Sequence, residues 1–492
     1  MSIASRDLSA VPSYKAEWWT PQLVWPLIAA VVVRLTLLAV LIARGGTSIL
    51  ISADTSSYLE PGRNLLLHGR FIADGVPDLF RTPGYPLFLA FFSYAGLTVA
   101  ALVQVILSVF SVLLVWKLGR AVFNDNRIAL GAAWLLAFEP ITVTYSVLLT
   151  AETLFLTLFL LSMERLAEFI RGRSLWVQAA AGMWLAAATF VRPVTYYLPY
   201  ALAVGLFFVL ARMPSFSPQR QRPVARDPSL HWKAPAVLLI SVLPWLAAWQ
   251  VRNWVETGYS GFSSVKDVNL YFFSVPNVIA SAENKDIIDV QNEFAGKMCG
   301  RGCNEQLYLY QPYLALHPEQ AGWSQNQRLT YIHSEAVRII RAHYGVYLRS
   351  CFANLLKVVI RLGSGSFDNL IYPQAGLVNG EEPIHTGAAL IKTYPLIAIE
   401  KVYFAVLLLG YYFFTACGIY RLARGFYRSQ VHAGPLCLLL GVSVYFLAVI
   451  GVGGGTAADA RLRLPITPVV CILAAAGFCR SWTSEQPSAQ SD

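Results

Sequence analysis

Long apolar runs constrain this 492-residue chain more than any other feature. A transmembrane helix needs roughly 17 to 25 predominantly apolar residues, and runs of that length recur from end to end. Solid apolar runs such as residues 234–248 lack the alternation of a transmembrane β-strand. With 56% hydrophobic and 13% charged residues, the composition excludes a soluble globular protein. The pattern predicts an all-α polytopic membrane protein.

The basic residues indicate how the chain is oriented. Most of them lie in short loops beside apolar runs, and such loops stay on the cytoplasmic side of a membrane. This explains the net charge of +10 without any binding of nucleic acid. It predicts a bundle of about ten transmembrane helices with both termini inside. Two basic residues of the last outer loop, Arg461 and Arg463, are the exceptions.

The same pattern predicts the domain organisation. An apolar segment at 21–43 is too long for a cleavable signal and is interpreted as a retained anchor. A polar segment after residue 251 is interpreted as a small outer domain that ends in an interfacial helix at 347–362. The predicted parts are a cytoplasmic N-terminus (1–21), a membrane module (22–251) with a first outer loop (44–96), an outer loop domain with the interfacial helix (252–394), C-terminal transmembrane helices (395–480) and a cytoplasmic tail (481–492).

The stretch 51–89 is far more polar than its surroundings and follows the first apolar run directly. Its helical part has the pattern of a helix that lies on a bilayer surface. A polar loop can also be a simple connector between helices. The stretch carries three aspartates, three arginines and a Pro-Gly-Tyr-Pro run: Asp54, Asp74, Asp78, Arg63, Arg70, Arg81 and Pro83 to Pro86.

Two glutamates are expected inside the membrane. If 128–145 and 146–163 form a helical hairpin, Glu139 and Glu152 each lie six residues from its turn, roughly 9 Å below the outer surface. Acids at that depth need a cation, a metal or a cavity. Arg34, in the first span, is a candidate partner for one of them. The alternative is a buried ion pair that only fixes helix packing.

Charged side chains from several segments are predicted to converge on the outer face. Four arginines reach that boundary, although arginines at such positions also snorkel to lipid headgroups. Asp54 could be a helix N-cap, because Asp-Thr-Ser-Ser precedes an apolar-periodic run. Acids and arginines from at least five segments on one face indicate a site. The four arginines are Arg192, Arg252, Arg461 and Arg463.

Other types of site find little support. The sequence has no Walker loop, no GxGxxG after a strand and no Ser-His-Asp arrangement. Cys299 and Cys303 lie four residues apart in a polar loop, without a histidine pair at zinc-finger spacing. If this loop lies outside the cytosol, a disulfide between the two cysteines is expected.

These residues resemble the GT-C glycosyltransferases that use polyprenyl-phosphate sugars, the group of protein O-mannosyltransferases and the lipid A aminoarabinose transferase. The resemblance covers residues 30–269 and 461–476. Its order and spacing are more specific than any single piece. The pieces are Val33-Arg34-Leu35, Asp54 with Tyr58, Arg81 to Pro86, Thr150 to Thr153 with Glu152, Val191-Arg192-Pro193, Pro244-Trp245 before Arg252-Asn253, and Arg461 to Pro465.

The resemblance implies an integral membrane enzyme that transfers a sugar from a polyprenyl-phosphate donor to a lipid, glycan or protein, with inversion. The active site would face the periplasm of a bacterial inner membrane. It implies Asp54 as general base, with Glu152 as a second catalytic candidate, and arginines that bind the donor phosphate. The phosphate ligands would be Arg81, Arg192, Arg252, Arg461 and Arg463; the cavity would be lined by Tyr58, Arg63, Tyr85 and Glu139.

Two departures from the family pattern leave questions open. Many members have Asp-Glu where this chain has Asp54-Thr55, so a divalent metal is left open. No large domain follows the last span, unlike in the aminoarabinose transferase, so the identity of the acceptor is not carried over from the family. The sequence does not name the sugar.

Two alternative functions use the same charges. A flippase or transporter of a lipid-linked glycan would escort a phosphate with these arginines, but it predicts an internal repeat, and none is found between the halves. An O-antigen ligase or polymerase would move whole glycans from a pyrophosphate lipid.

Overall fold

A computed structural model describes residues 20–52, 54–172, 174–212, 229–296, 306–371, 395–427, 431–455 and 459–479. The described chain is almost entirely helical, with one two-stranded antiparallel hairpin, β1 (Ile72–Ala73) and β2 (Val76–Pro77). This confirms the predicted all-α class.

The helices of the first half follow the apolar runs closely, because each run provides a continuous lipid-facing or core-facing surface. The polar stretch contributes the half-buried helix α2 and the short apolar helix α3. The bounds are α1 (Val24–Gly45), α2 (Thr55–His68), α3 (Gly84–Ser93), α4 (Leu97–Phe123), α5 (Asn126–Phe138), α6 (Pro140–Val147), α7 (Glu152–Gly172), α8 (Leu175–Val191), α9 (Leu198–Arg212) and α10 (Leu230–Thr257).

The second half begins with short helices and ends with three apolar ones, of which the first two are long. A π-helical turn, Leu270–Ser274, lies between α11 and α12, and a 3₁₀ helix, Ala460–Arg463, precedes the last helix. The bounds are α11 (Val265–Asn269), α12 (Val275–Glu283), α13 (Ile287–Ala295), α14 (Gln311–Leu316), α15 (Gln325–Ala342), α16 (Tyr344–Ile360), α17 (Gly365–Ile371), α18 (Pro395–Ala423), α19 (Ala433–Gly453) and α20 (Thr467–Phe478).

By length and hydropathy, six helices of the described chain can each cross a membrane, and the bent pair α5–α6 gives a seventh candidate. Three further apolar helices, α3, α8 and α20, are shorter. The chain is therefore a multi-pass membrane protein. The count of about ten crossings remains a prediction.

The predicted hairpin of 128–145 and 146–163 is wrong. α5 ends at Phe138 and α6 starts at Pro140 with a 53° bend, because proline cannot continue the helix that precedes it. Residues 148–151 leave the helical conformation, and the Leu149 amide donates to the Leu50 carbonyl. Glu139 thus lies at the bend and Glu152 at the start of α7, so they do not share the predicted helical positions.

Arg34 is completely buried in α1 and pairs with neither glutamate. Its guanidinium donates to Ser108 Oγ (2.7 Å) and to the carbonyls of Leu136 (3.4 Å) and Ala137 (2.8 Å). These carbonyls end α5, where the helix dipole is negative. Arg34 therefore stabilises the bend.

A second hydrophobic core lies apart from the main helical core. It is built from α11 to α15 and includes Leu79 and Phe80, which come from the first polar stretch. The segment just before Arg81 is therefore packed into the helices that follow α10. The predicted boundaries of an outer domain stay a prediction.

The helix predicted at 347–362 forms as α16. One of its faces is buried through Ser350, Asn354 and Val358. Apolar residues four apart form an exposed stripe on another face, the pattern of a helix that contacts lipid. The stripe is Tyr344, Leu348, Phe352, Leu356 and Ile360.

Candidate active site

Asp54 lies immediately before α2, but its side chain makes no capping hydrogen bond. Its two oxygens instead meet two arginines: Oδ1 lies 3.3 Å from Arg81 Nη2, and Oδ2 lies 3.1 Å from Arg461 Nη1. The capping alternative does not describe this carboxylate. It bridges the first polar stretch and the loop before the last helix.

Arg81 is held by one turn of α2. Ser57 Oγ accepts from both Nε (3.0 Å) and Nη2 (2.7 Å), and the Tyr58 hydroxyl accepts from Nη1 (2.9 Å). The guanidinium carbon also lies 4.0 Å from the centre of the Tyr58 ring, a favourable cation–π distance. Residues 54, 57 and 58 face the same way because they are three and four apart on a helix. Arg81 therefore has little freedom.

Arg461 lies on the 3₁₀ helix, whose first turn is capped when Asp459 Oδ1 accepts from the Ala460 amide. Burial alone would lower the pKa of Arg461, yet Asp54 and Glu152 together raise that pKa well above its ordinary value. Arg461 therefore faces both carboxylates and stays charged.

Glu152 forms the other ion pair of the cluster. Its Oε1 accepts from Arg192 Nη1 at 2.9 Å, and the glutamate side chain is only 3% exposed. Arg192 follows the last residue of α8 and precedes Pro193, which ends the helix there. The second oxygen of Glu152 has no hydrogen-bond partner within the described residues.

Three further side chains fix the backbone around this group. Thr55 Oγ1 donates to the Leu149 carbonyl at 2.9 Å, which joins the start of α2 to the loop before Glu152. Gln104 accepts from the Tyr85 hydroxyl (2.7 Å) and donates to the Leu148 carbonyl (2.6 Å). The Tyr85 ring packs edge-on against Tyr58 at 4.8 Å.

Asp54, Arg81, Glu152, Arg192 and Arg461, which we call the Asp54 cluster, thus come from five separate segments. Tyr58 and Tyr85 adjoin it. Thr55, Ser57 and Gln104 were not predicted. The spacing of Ser57, three residues after Asp54 on a helix, was a signal for one of them.

Three of the predicted arginines lie outside the Asp54 cluster. Arg252 pairs with Glu256 at 2.7 Å and donates to the Phe71 carbonyl at 2.6 Å. Arg463 donates to carbonyls at the end of α16, the shortest bond being 2.7 Å to Arg361. Arg63 is exposed on α2.

Glu139 begins α6 as its N-cap and accepts from the Thr142 amide at 2.6 Å. With Arg463 it lines a cavity of about 170 Å³ whose other walls are mostly apolar, including Phe404, Leu407 and Tyr411. We call this the Glu139–Arg463 cavity.

A metal site finds no support in the part of the chain that the structure describes, where no three His, Cys, Asp or Glu side chains come together. The predicted Cys299–Cys303 disulfide lies outside the described residues.

Comparison with known proteins finds a family model that matches part of the chain. Residues 81–249 match the family model of dolichyl-phosphate-mannose-protein mannosyltransferases. No curated protein matches the chain.

Solved structures are similar at low sequence identity. One is the oligosaccharyltransferase AglB from Archaeoglobus fulgidus with an inhibitory peptide and a dolichol-phosphate (14% identity, TM-score 0.44, 93% of this chain and 50% of AglB). Another is ArnT from Cupriavidus metallidurans bound to undecaprenyl phosphate (13% identity, TM-score 0.38, 88% of this chain and 77% of ArnT). The chain thus spans only half the length of AglB.

The family match covers the Arg81 to Pro86 motif, Glu152 and Arg192. It confirms the resemblance that the motifs indicated: this membrane protein resembles the GT-C glycosyltransferases that use polyprenyl-phosphate sugars.

Proposed function

We propose that the protein transfers a sugar from a polyprenyl-phosphate donor to an acceptor at the outer face of the membrane, with the Asp54 cluster as its active site. The observation that carries the proposal is the position of Asp54 between Arg81 and Arg461. Two guanidiniums that converge on one carboxylate can also converge on a phosphate, whose oxygens match their geometry.

The charges of the cluster support an anionic ligand. Its three arginines and two acids carry one more positive than negative charge. A phosphodiester linking a sugar to a lipid carries one negative charge. A phosphate that takes the place of the Asp54 carboxylate at Arg81 and Arg461 would compensate that charge. Donor binding would then free Asp54 for the acceptor.

This exchange explains how a carboxylate that is paired with two cations can act as a general base. A carboxylate held by guanidiniums is a weak proton acceptor, since its charged form is stabilised. Once the phosphate binds the arginines, Asp54 can accept the proton of the acceptor hydroxyl or amine. The donor therefore binds first, and the acceptor is activated second.

In the transfer step, the acceptor oxygen or nitrogen attacks the anomeric carbon while the bond between that carbon and the phosphate oxygen breaks. The electron pair of the broken bond stays on the phosphate, where Arg81 and Arg461 stabilise the growing charge. The acceptor proton goes to Asp54. One displacement inverts the anomeric configuration. Glu152 holds Arg192 beside the leaving phosphate.

The setting of the reaction is part of the proposal. We place the cluster at the periplasmic face of a bacterial inner membrane because the short basic loops indicate that orientation. The match of residues 81–249 to the model of dolichyl-phosphate-mannose-protein mannosyltransferases supports a polyprenyl donor. The Cys299–Cys303 disulfide would form in the same oxidising compartment.

Binding of undecaprenyl phosphate to the purified full-length chain tests the proposal. Arg81→Ala and Arg461→Ala should each weaken affinity roughly 10- to 100-fold, because a charge-assisted hydrogen bond contributes about 1.5 to 3 kcal/mol. Arg70→Ala is the matched control, since Arg70 is an exposed arginine of the same stretch.

A wild-type protein that does not bind the lipid would contradict the proposal. So would lipid affinities of Arg81→Ala and Arg461→Ala that equal the affinity of the Arg70→Ala control. Mass spectrometry of lipid extracts from a deletion strain identifies the sugar, because the unused polyprenyl-phosphate sugar should accumulate there.

A further inference from the structure

The backbone just before Arg81 is organised by one buried acid, Asp78. Its Oδ1 accepts from the amides of Phe80 (2.8 Å) and Arg81 (3.0 Å), and the residue is 1% exposed. Burying a carboxylate is costly unless its hydrogen bonds are made. Oδ2 has no hydrogen-bond partner within the described residues. The Asp78 carboxylate therefore stabilises the turn that leads into Arg81.

The same few residues are tied to the second hydrophobic core. The Phe80 carbonyl accepts from Ser263 Oγ (2.7 Å), and the Leu79 carbonyl accepts from the Ser264 amide (2.8 Å). The Leu79 amide donates to Gln306 Oε1 at 3.2 Å. Both Leu79 and Phe80 are buried in that core. The segment 78–80 therefore has one side in the second core and leads directly into the Asp54 cluster.

We propose that Asp78 is a positioning residue. It sets the orientation of Arg81 relative to the second hydrophobic core, which the helices from α11 to α15 form. This inference rests on the proposed function for its consequence in catalysis. Arg81 is then fixed from both sides: its amide by Asp78, and its guanidinium by Ser57 and Tyr58. A misplacement of about 1 Å in such a group can cost roughly 100-fold in rate.

Two variants separate hydrogen bonding from charge. Asp78→Ala removes the acceptor of both amides, whereas Asp78→Asn keeps an oxygen that can accept from them. Ser263→Ala removes only the bond from the second core to Phe80. Arg70→Ala is the control, as before.

The first measurement needs no lipid. Phenylglyoxal modifies accessible arginines, and the Arg81 side chain is only 12% exposed. Mass spectrometry should show Arg81 modified at least fivefold faster in Asp78→Ala, which loses two hydrogen bonds of the turn, and about twofold faster in Ser263→Ala, which loses one. Asp78→Asn should match the wild type.

The second measurement is affinity for undecaprenyl phosphate. Asp78→Ala should bind at least tenfold more weakly, and Asp78→Asn should bind within threefold of wild type. Equal Arg81 modification in Asp78→Ala and wild type would overturn the inference, as would equal losses in Asp78→Ala and Asp78→Asn.

The two proposals fail separately. If the wild type does not bind the lipid, the proposed function fails while Arg81 modification still decides the role of Asp78. If Asp78→Ala does not fold, Ser263→Ala tests whether the anchored segment 78–80 positions Arg81: faster modification of Arg81 supports the inference, and an unchanged rate overturns it.

Discussion

The Asp54 cluster and the Glu139–Arg463 cavity both combine acids with arginines, but their hydrogen bonds go to different partners. In the cluster, the carboxylates of Asp54 and Glu152 meet guanidiniums. In the cavity, Glu139 accepts from the Thr142 amide, and Arg463 donates to carbonyls at the end of α16. Charges that neutralise helix ends hold the fold together, whereas charges that pair with one another can exchange partners with a ligand.

Arg461 and Arg463 show how closely the two regions adjoin. They are two residues apart on one 3₁₀ helix. With three residues per turn, side chains two apart point about 120° away from each other. One arginine therefore faces Asp54 and the other faces α16. The same tetrapeptide serves both regions.

The largest expected effect is that of Asp54→Asn. The asparagine amide keeps the shape of the side chain but cannot take the proton of the sugar acceptor, so the rate of sugar transfer should fall roughly 10²- to 10⁴-fold. Affinity for undecaprenyl phosphate should not fall, because both arginines remain and the carboxylate that competes with the phosphate for them is gone. The measurement is the polyprenyl-phosphate sugar that accumulates when the variant replaces the wild type in cells. A variant that inserts normally and clears the donor at wild-type rate would remove Asp54 from the mechanism and make Glu152 the better candidate.

Asp78 provides the next effect, because it bonds to backbone amides as Glu139 does while lying beside the cluster. Burial raises its pKa to about 6; the amides of Arg81 and Phe80 and the charges of Arg81 and Arg252 oppose that rise, and the Tyr308 hydroxyl is also near. The folded state then binds a proton more tightly than the unfolded state, so stability is present at low pH and is lost as pH rises through 6. Relative to Asp78→Asn, the unfolding equilibrium of the wild type should shift roughly 100-fold in favour of unfolding between pH 4 and pH 7.

Thermal or denaturant unfolding of both proteins in detergent, at several pH values, measures that shift. The difference between the two proteins isolates Asp78, since the other titrating groups are shared. A constant difference across this range would show that folding does not shift the pKa of this carboxylate.

A direct comparison of the two regions uses Glu152→Gln and Glu139→Gln. The first removes the negative charge opposite Arg192, so transfer should fall about tenfold. The second keeps an oxygen that can accept from the Thr142 amide, so transfer should stay within about twofold. Donor accumulation in cells measures both. Equal losses would mean that the two glutamates do not differ in role.

Much of the fold was predictable because the backbone N–H and C=O groups of a long apolar run must be hydrogen-bonded within a helix when the run crosses a bilayer. α8 (Leu175–Val191), for example, coincides with one apolar run of the sequence. The bend at Pro140 was readable from the proline, yet the break at 148–151 was not, since it depends on a bond from Leu149 to Leu50, which is distant in sequence.

The candidate site was predictable in its charged residues and not in its polar ones. Asp54, Arg81 and Arg461 stand out in an apolar chain, but Thr55, Ser57 and Gln104 are ordinary residue types whose partners are set by tertiary structure. The separation of Arg461 from Arg463 likewise depends on the 3₁₀ conformation of their helix. Asp78 looked like one of three similar loop acids until its burial was known.

The smallest effect on ligand binding is expected for Arg463→Ala. Four carbonyls at the end of α16, those of Val358, Val359, Arg361 and Leu362, would lose their guanidinium donor. Because such carbonyls have no partner within their own helix, the free energy of unfolding should fall by about 1 to 3 kcal/mol. Affinity for undecaprenyl phosphate should change less than twofold, while Arg461→Ala, two residues away, should lose affinity with little loss of stability. Measuring both properties for both variants tests the comparison, and an affinity loss in Arg463→Ala equal to that in Arg461→Ala would merge the two regions into one site.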